Sequence, residues 1–181
     1  MLFRHWDPNV LAAVLPILTP SQYSRFFGPA ATLIMNAPDY GGLKRAVRPE
    51  PPVPFTPGLL AFDAEQIEQL KAAMVHSSRL RTARFLRSHV PPHFSGIDDR
   101  FVWGATLASE PSADELGIRT ERGRTRWAYV MMMSDGKAAE APEIRSYVTD
   151  GKDTPDNRVK ALIGHAVDAL RRDGFAAGSS R

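Results

Sequence analysis

The chain contains no cysteine. Disulfides, thiol nucleophiles and thiolate metal sites are therefore excluded, and the composition fits a reducing compartment. Long apolar runs are also missing. The longest, Val10 to Leu18, is far short of the ~20 residues that span a bilayer. Asp7 and Pro8 stand at its entrance, and no small-residue cleavage site follows it, so it reads as a core helix rather than a secretory leader. There is no Walker loop, no Rossmann glycine fingerprint and no Gly-x-Ser-x-Gly elbow. Catalysis requires a nucleophile, base or metal in a recognisable setting. With none in view, the expectation is a protein that is not an enzyme, takes no cofactor, meets no membrane and resides in a cytoplasm. One-signed charge is scarce too. Lys and Arg number 23 against 20 Asp and Glu, a net charge of +3. That mildly favours acidic partners without the concentrated basic stripe of most nucleic-acid binders.

What the sequence does have is helix punctuation. The length of 181 residues suits one domain with short satellites. Asp7-Pro8 opens a helix as N-cap and first-turn proline, with Leu11, Val14, Leu15 and Leu18 at core spacing. Thr19-Pro20-Ser21-Gln22 repeats the signal as a capping box, and Gly28-Pro29 closes that second helix. Ala31 to Met35 and Leu43 to Val47 read as short strands around a Tyr40-Gly41-Gly42 turn, and Phe3 to Trp6 as a strand end. Asp63 to Gln66 is a second capping box, opening a long helix to about His89 with Ile67, Leu70, Met74, Phe85 and Leu86 on its apolar face. Pro91-Pro92 ends it. Ile97 to about Leu107 predicts another helix, with a separate turn over Ala113 to Leu116. Thr120 to Ser134 and Pro142 to Val148 predict two more. The last helix starts at Thr154-Pro155, carries Val159, Leu162, Ile163, Val167 and Leu170 as its stripe, places Arg171 and Arg172 in its final turn and stops at Gly174. The predicted fold is mainly α with a small β component near the N-terminus, an α+β multi-helix protein. It divides into a strand/helix subregion at 1–50, a proline-rich connection at 51–62, a helical domain at 63–173 and a disordered tail at 174–181.

Few residues offer chemistry. His89 and His93 have a metal-ligand spacing, but Pro91-Pro92 interrupts any helix between them and no glutamate adjoins them, so surface histidines are the favoured reading. His165 and Asp168 suit a local hydrogen bond. Asp98-Asp99 are adjacent and cannot face one another, so they read as the acidic first turn of a helix. Arg81, Arg84 and Arg87 recur at i, i+3 and could hold a phosphate or an acidic protein surface. A solvated helix face is the favoured alternative. Trp127 and the run Met131 to Met133 are the most unusual local feature. Methionine adapts to irregular protein-binding surfaces, yet it also fills cores, which is the favoured reading for both.

The order of the motifs says more than any one of them. Leu2-Phe3-Arg4-His5-Trp6-Asp7-Pro8-Asn9-Val10-Leu11 leads to Leu15-Pro16-Ile17-Leu18-Thr19-Pro20-Ser21-Gln22 and then Phe26-Phe27-Gly28-Pro29. Gln66 and Leu70 follow, and Glu115-Leu116-Gly117-Ile118 and Pro155-Asp156-Asn157-Arg158 close the series. This series resembles the later part of the type VI secretion effector adaptor family. The resemblance implies a chaperone-like protein that binds a toxin effector and helps load it onto the VgrG-type spike protein. It maps the family motif onto Phe3, Arg4, Asp7, Pro8, Leu11, Phe27, Gly28 and Pro29, expected to be mostly structural, with Arg4 pairing to Asp7 or reaching a partner. Arg81, Arg84, Arg87, Trp127 and Met131 are the candidate partner-binding residues. Family members carry an α/β lobe ahead of this motif. A chain without it would expose apolar surface near Met1 to Leu18 and tend to self-associate. The alternative reading is a basic helical nucleic-acid-associated protein, resting on charge and the arginine ridge alone.

Overall fold

The computed structural model describes residues 7–51, 53–54, 58–90 and 97–178, with side chains through 166. Seven α-helices and one two-stranded antiparallel sheet are present among them, matching the expected mainly α class. Contacts divide the chain into two compact units, Met1–Arg81 and Thr82–Arg181. The division falls inside the longest helix, whereas composition placed its boundaries around the proline-rich 51–62 stretch. Phe3 to Trp6, Pro91-Pro92 and His93 lie outside the described residues.

The first unit begins with α1 (Pro8–Val14). The Asp7 carboxylate caps it by accepting from the Asn9 and Val10 amides at 2.9 and 3.4 Å. Pro16 then turns the chain through a short 3₁₀ segment, Leu15–Ile17. Thr19 and Gln22 form the expected capping box at the head of α2 (Pro20–Phe27). Gly28 ends α2 at φ +53°, backbone that residues with a Cβ rarely adopt. Next come β1 (Thr32–Ala37) and β2 (Gly42–Val47), paired in register from Thr32↔Val47 to Ala37↔Gly42. Leu11, Leu15, Phe27 and Met35 make the buried cluster of this unit. Tyr23 stacks on Phe27 with ring centroids 4.9 Å apart.

Two capping boxes are clasped together. Asp63 and Gln66 cap the head of α3 (Ala64–Ser88) reciprocally, at 2.8 and 3.1 Å. Gln66, almost fully buried, also donates to Gln22 Oε1 at 2.6 Å and to the Ile17 carbonyl at 2.9 Å. Gln22 returns a bond to Gln66 Oε1 and donates to the Ala61 carbonyl. Removing one amide strands several part-buried partners at once, and stranded partners dominate the cost of such deletions. Gln66→Leu is therefore expected to cost about 2 to 3 kcal/mol, against under about 0.5 for the exposed Gln69→Leu. Urea unfolding of both variants checks this.

The second unit holds the end of α3 with α4 (Asp99–Glu115), α5 (Glu121–Met133), α6 (Pro142–Thr149) and α7 (Pro155–Gly178). Two features differ from the sequence expectation. The helix predicted to end near Leu107 continues to Glu115, through Pro111. Proline removes one amide donor and crowds the preceding turn. Three hydroxyls bond back to the helix along this stretch: Thr106 Oγ1 donates to the Val102 carbonyl, Ser109 Oγ to that of Thr106 and Ser112 Oγ to that of Ser109, at 3.0, 2.8 and 3.1 Å. The last helix passes Gly174 and ends at Gly178, so Arg171 and Arg172 are not in its final turn. One glycine costs a helix only about 1 kcal/mol, and Phe175-Ala176-Ala177 beyond it can continue the helix. Of the tail expected to be disordered, residues 174–178 are helical and 179–181 lie outside the described residues.

Candidate functional site

The sequence candidates scatter. Phe3 and Arg4 lie outside the described residues. Asp7 spends its carboxylate on the α1 cap. Pro8 opens α1, Leu11 and Phe27 are core, and the Gly28 carbonyl accepts from Arg48 Nη1 at 2.7 Å. Pro29 is exposed. The motif is thus largely scaffold where it is described. The later pieces are scaffold as well. Leu116 and Ile118 share a core cluster with Trp127, Val148 and Val159. Asp156 accepts from the Arg119 and Thr120 amides at 3.1 and 2.9 Å and from Thr120 Oγ1 at 2.5 Å.

Partial burial raises the Asp156 pKa, but these hydrogen bonds outweigh it and hold the carboxyl below its ordinary value. A folded-state pKa below the unfolded one gives stability that is present above pH 3.8 and is lost as pH falls through the folded value. Wild-type chain should therefore lose more stability between pH 5 and pH 3 than Asp156→Asn does. Urea midpoints at the two pH values test this. Equal losses would mean that Asp156 does not couple to folding.

The arginine ridge is exposed at Arg84 and Arg87 and half-buried at Arg81, and it carries ion pairs within the chain. Arg81 Nη1 lies 2.8 Å from Asp39 Oδ2 and 2.7 Å from Ser77 Oγ. Ser77 also donates to that carboxylate oxygen at 3.2 Å. Asp39 is held at the sheet turn by Asn9, whose Oδ1 accepts the Asp39 amide at 3.0 Å. Arg87 pairs with Asp99 at 3.4 Å and donates to the Ile97 carbonyl. Arg81 and Arg87 are thus committed within the chain. Arg84 is exposed on α3. Trp127 is fully buried, its indole N–H donating to Ser112 Oγ at 2.9 Å. It cannot meet a partner from there, and core is the role it has.

Other expected chemistry also resolves into structure. Asp98 is the N-cap of α4, accepting from the Phe101 amide, and Asp99 sits in its first turn. His89 stacks on Phe85 at 3.9 Å, with Nδ1 2.8 Å from the Phe85 carbonyl. His165 lies edge-on to Tyr147. Among the described residues, no group of three or more His, Asp or Glu is placed to hold a metal. No helix among them is long and apolar enough to cross a membrane.

Met131 is the exception. It is half-buried and lines a recess of about 650 Å³ between the start of α4 and the end of α5. Phe101, Gly104, Ala105, Ala108, Met131 and Met132 give its apolar lining. The volume follows from small residues. Gly104 and Ala108, one turn apart on α4, leave room that larger side chains would fill, and a Cβ at Gly104 would meet nothing within 4 Å. Phe101 is 44% exposed although apolar. Asp98, Asp135 and Arg100 stand around the apolar part. Asp135 holds φ +51° beside Gly136, which turns the chain sharply at the end of α5. The recess is open to solvent, with an apolar floor and a few polar groups at its edge. None of Arg81, Arg84 or Arg87 lines it.

Compared with known proteins, the chain matches no family model, no curated protein and no solved structure.

Proposed function

We propose that the chain is a binding protein, an adaptor that holds a toxin effector and helps load it onto a type VI secretion spike. The recess lined by Phe101, Gly104 and Met131 would receive an apolar segment of the cargo. The recess is the observation that supports this reading, alongside the motif order noted in the sequence. Methionine and glycine suit the role: one adapts its shape to a partner, and the other keeps the floor open. Two rim carboxylates against one guanidinium favour a cargo segment that carries a basic residue beside its apolar anchor. Binding would proceed by burial of apolar surface within a polar rim, with no bond made or broken.

The test is recovery of toxin by the tagged chain, co-expressed with a type VI secretion toxin and its spike protein. Wild type should recover toxin at a fixed ratio. Gly104→Trp fills the recess from an open helical position, so recovery should fall about tenfold or more while the melting temperature stays within a few degrees. Undiminished recovery by Gly104→Trp would remove the recess from the reading. Recovery of neither toxin nor spike by wild type would overturn the adaptor itself.

A further inference from the structure

We propose that β2 is a second docking site, one that takes an extended, carboxylate-bearing strand of a partner protein by edge addition. The inference rests on the hairpin alone and stands whether or not the recess binds cargo. Side chains alternate across a strand. Leu33, Met35 and Ala46 turn toward the buried cluster with Leu11 and Phe27. The opposite face therefore carries Thr32, Ile34 and Asn36 on β1, opposite Val47, Arg45 and Leu43 on β2. On that face Ile34 is 63% exposed, Leu43 75% and Val47 51%. Three large apolar groups facing solvent on one small hairpin form a patch that a partner would cover.

The edge is as open as the face. Among the described residues no third strand joins the sheet, so the outer backbone groups of both strands lack a ladder partner there, and two strands alone are marginally stable. α1 packs against β1. In β2, Leu43, Lys44 and Arg45 are exposed in succession. A third strand along Gly42–Val47 would bond those outer amides and carbonyls and extend the Ile34–Leu43–Val47 patch.

Charge chooses the occupant. Neither strand contains an aspartate or glutamate, while β2 carries Lys44 and Arg45 side by side. A second copy adding edge to edge would bring these cations together, the device by which natural edge strands discourage self-pairing. A strand with neighbouring carboxylates, flanked by β-branched apolar residues, meets them with opposite charge, one on each face.

The test uses the full chain and three labelled, end-blocked peptides, read by fluorescence anisotropy. The first is Val-Thr-Val-Glu-Glu-Val-Thr-Val. The second has both glutamates replaced by lysine. The third is the first peptide, N-methylated at alternate amides and prepared in both registers. Wild type should bind the glutamate peptide about tenfold or more tightly than the lysine peptide, and one N-methylated register should lose about as much. The double variant Lys44→Glu, Arg45→Glu, checked for an unchanged melting temperature, should reverse the charge preference. Equal affinity for both charges, full binding by both N-methylated registers, or no binding at millimolar peptide would each overturn the proposal. So would self-association of the wild-type chain that Ile34→Glu abolishes, because a second copy would then be the occupant.

Discussion

Trp127→Ala is expected to lower stability by about 3 to 5 kcal/mol, the usual range for deleting a buried aromatic ring. Trp127 is the largest fully buried side chain of the described residues. It sits among Ala113, Leu116, Ile118, Val148 and Val159, which come from the end of α4, the turn after it, α6 and α7. Emptying its site removes a contact shared by most of the second unit. The deletion also leaves Ser112 Oγ without the indole N–H that reaches it at 2.9 Å. Ser112→Ala separates the two contributions: it keeps the ring but orphans the N–H, at a cost of about 1 to 3 kcal/mol. Chemical denaturation of both variants gives the comparison. A Trp127→Ala loss below the Ser112→Ala loss would mean that the ring's packing contributes little.

Arg81→Met should cost about 3 kcal/mol, in the range for breaking a buried ion pair from one side. The partner is Asp39, whose side chain is 5% exposed, while that of Arg81 is 40% exposed. The asymmetry sets the direction. Losing the guanidinium leaves a carboxylate buried at the sheet turn without the cation that balances its charge. Losing the carboxylate leaves a cation that can reach water, so Asp39→Asn should cost less than Arg81→Met. Glu68 and Lys71 supply the contrast. They lie 2.7 Å apart with side chains 70% and 64% exposed, and breaking that pair should cost under about 1 kcal/mol. Thermal melts of the three variants test the order. Equal effects for Arg81→Met and Lys71→Met would show that burial of Asp39 does not govern the pair.

Helix starts were legible because capping is local chemistry. Asp7-Pro8, Thr19 to Gln22, Asp63 to Gln66 and Thr154-Pro155 each announce a first turn within four residues, and α1, α2, α3 and α7 begin there. The hairpin was legible from two short apolar runs around Tyr40-Gly41-Gly42. Helix ends were harder. The helix from Ile97 read as ending near Leu107 and the last helix as stopping at Gly174, but α4 runs through Pro111 to Glu115 and α7 through Gly174 to Gly178. The apolar face of α3 was half right: Leu70 and Leu86 are buried, while Ile67 and Met74 are 41% and 59% exposed.

Side-chain partners far apart in sequence were not legible. Asp39 and Arg81 are 42 residues apart, and Asp156 captures amides 36 and 37 residues away. Periodicity carries no information at that range. Gln22 and Gln66 were legible as members of separate capping boxes, but not the clasp between them. Met131 was visible as an oddity. The recess beside it was not, because its volume depends on Gly104 and Ala108 facing the end of another helix.

Hydrogen exchange on the intact chain, with and without the toxin it is proposed to carry, tests the central claim most directly. The account predicts slowed exchange at the start of α4, residues 98–108, and at the end of α5, residues 131–136. Gly104→Trp should abolish that protection. Protection confined to other segments, with both of these unchanged, would contradict it.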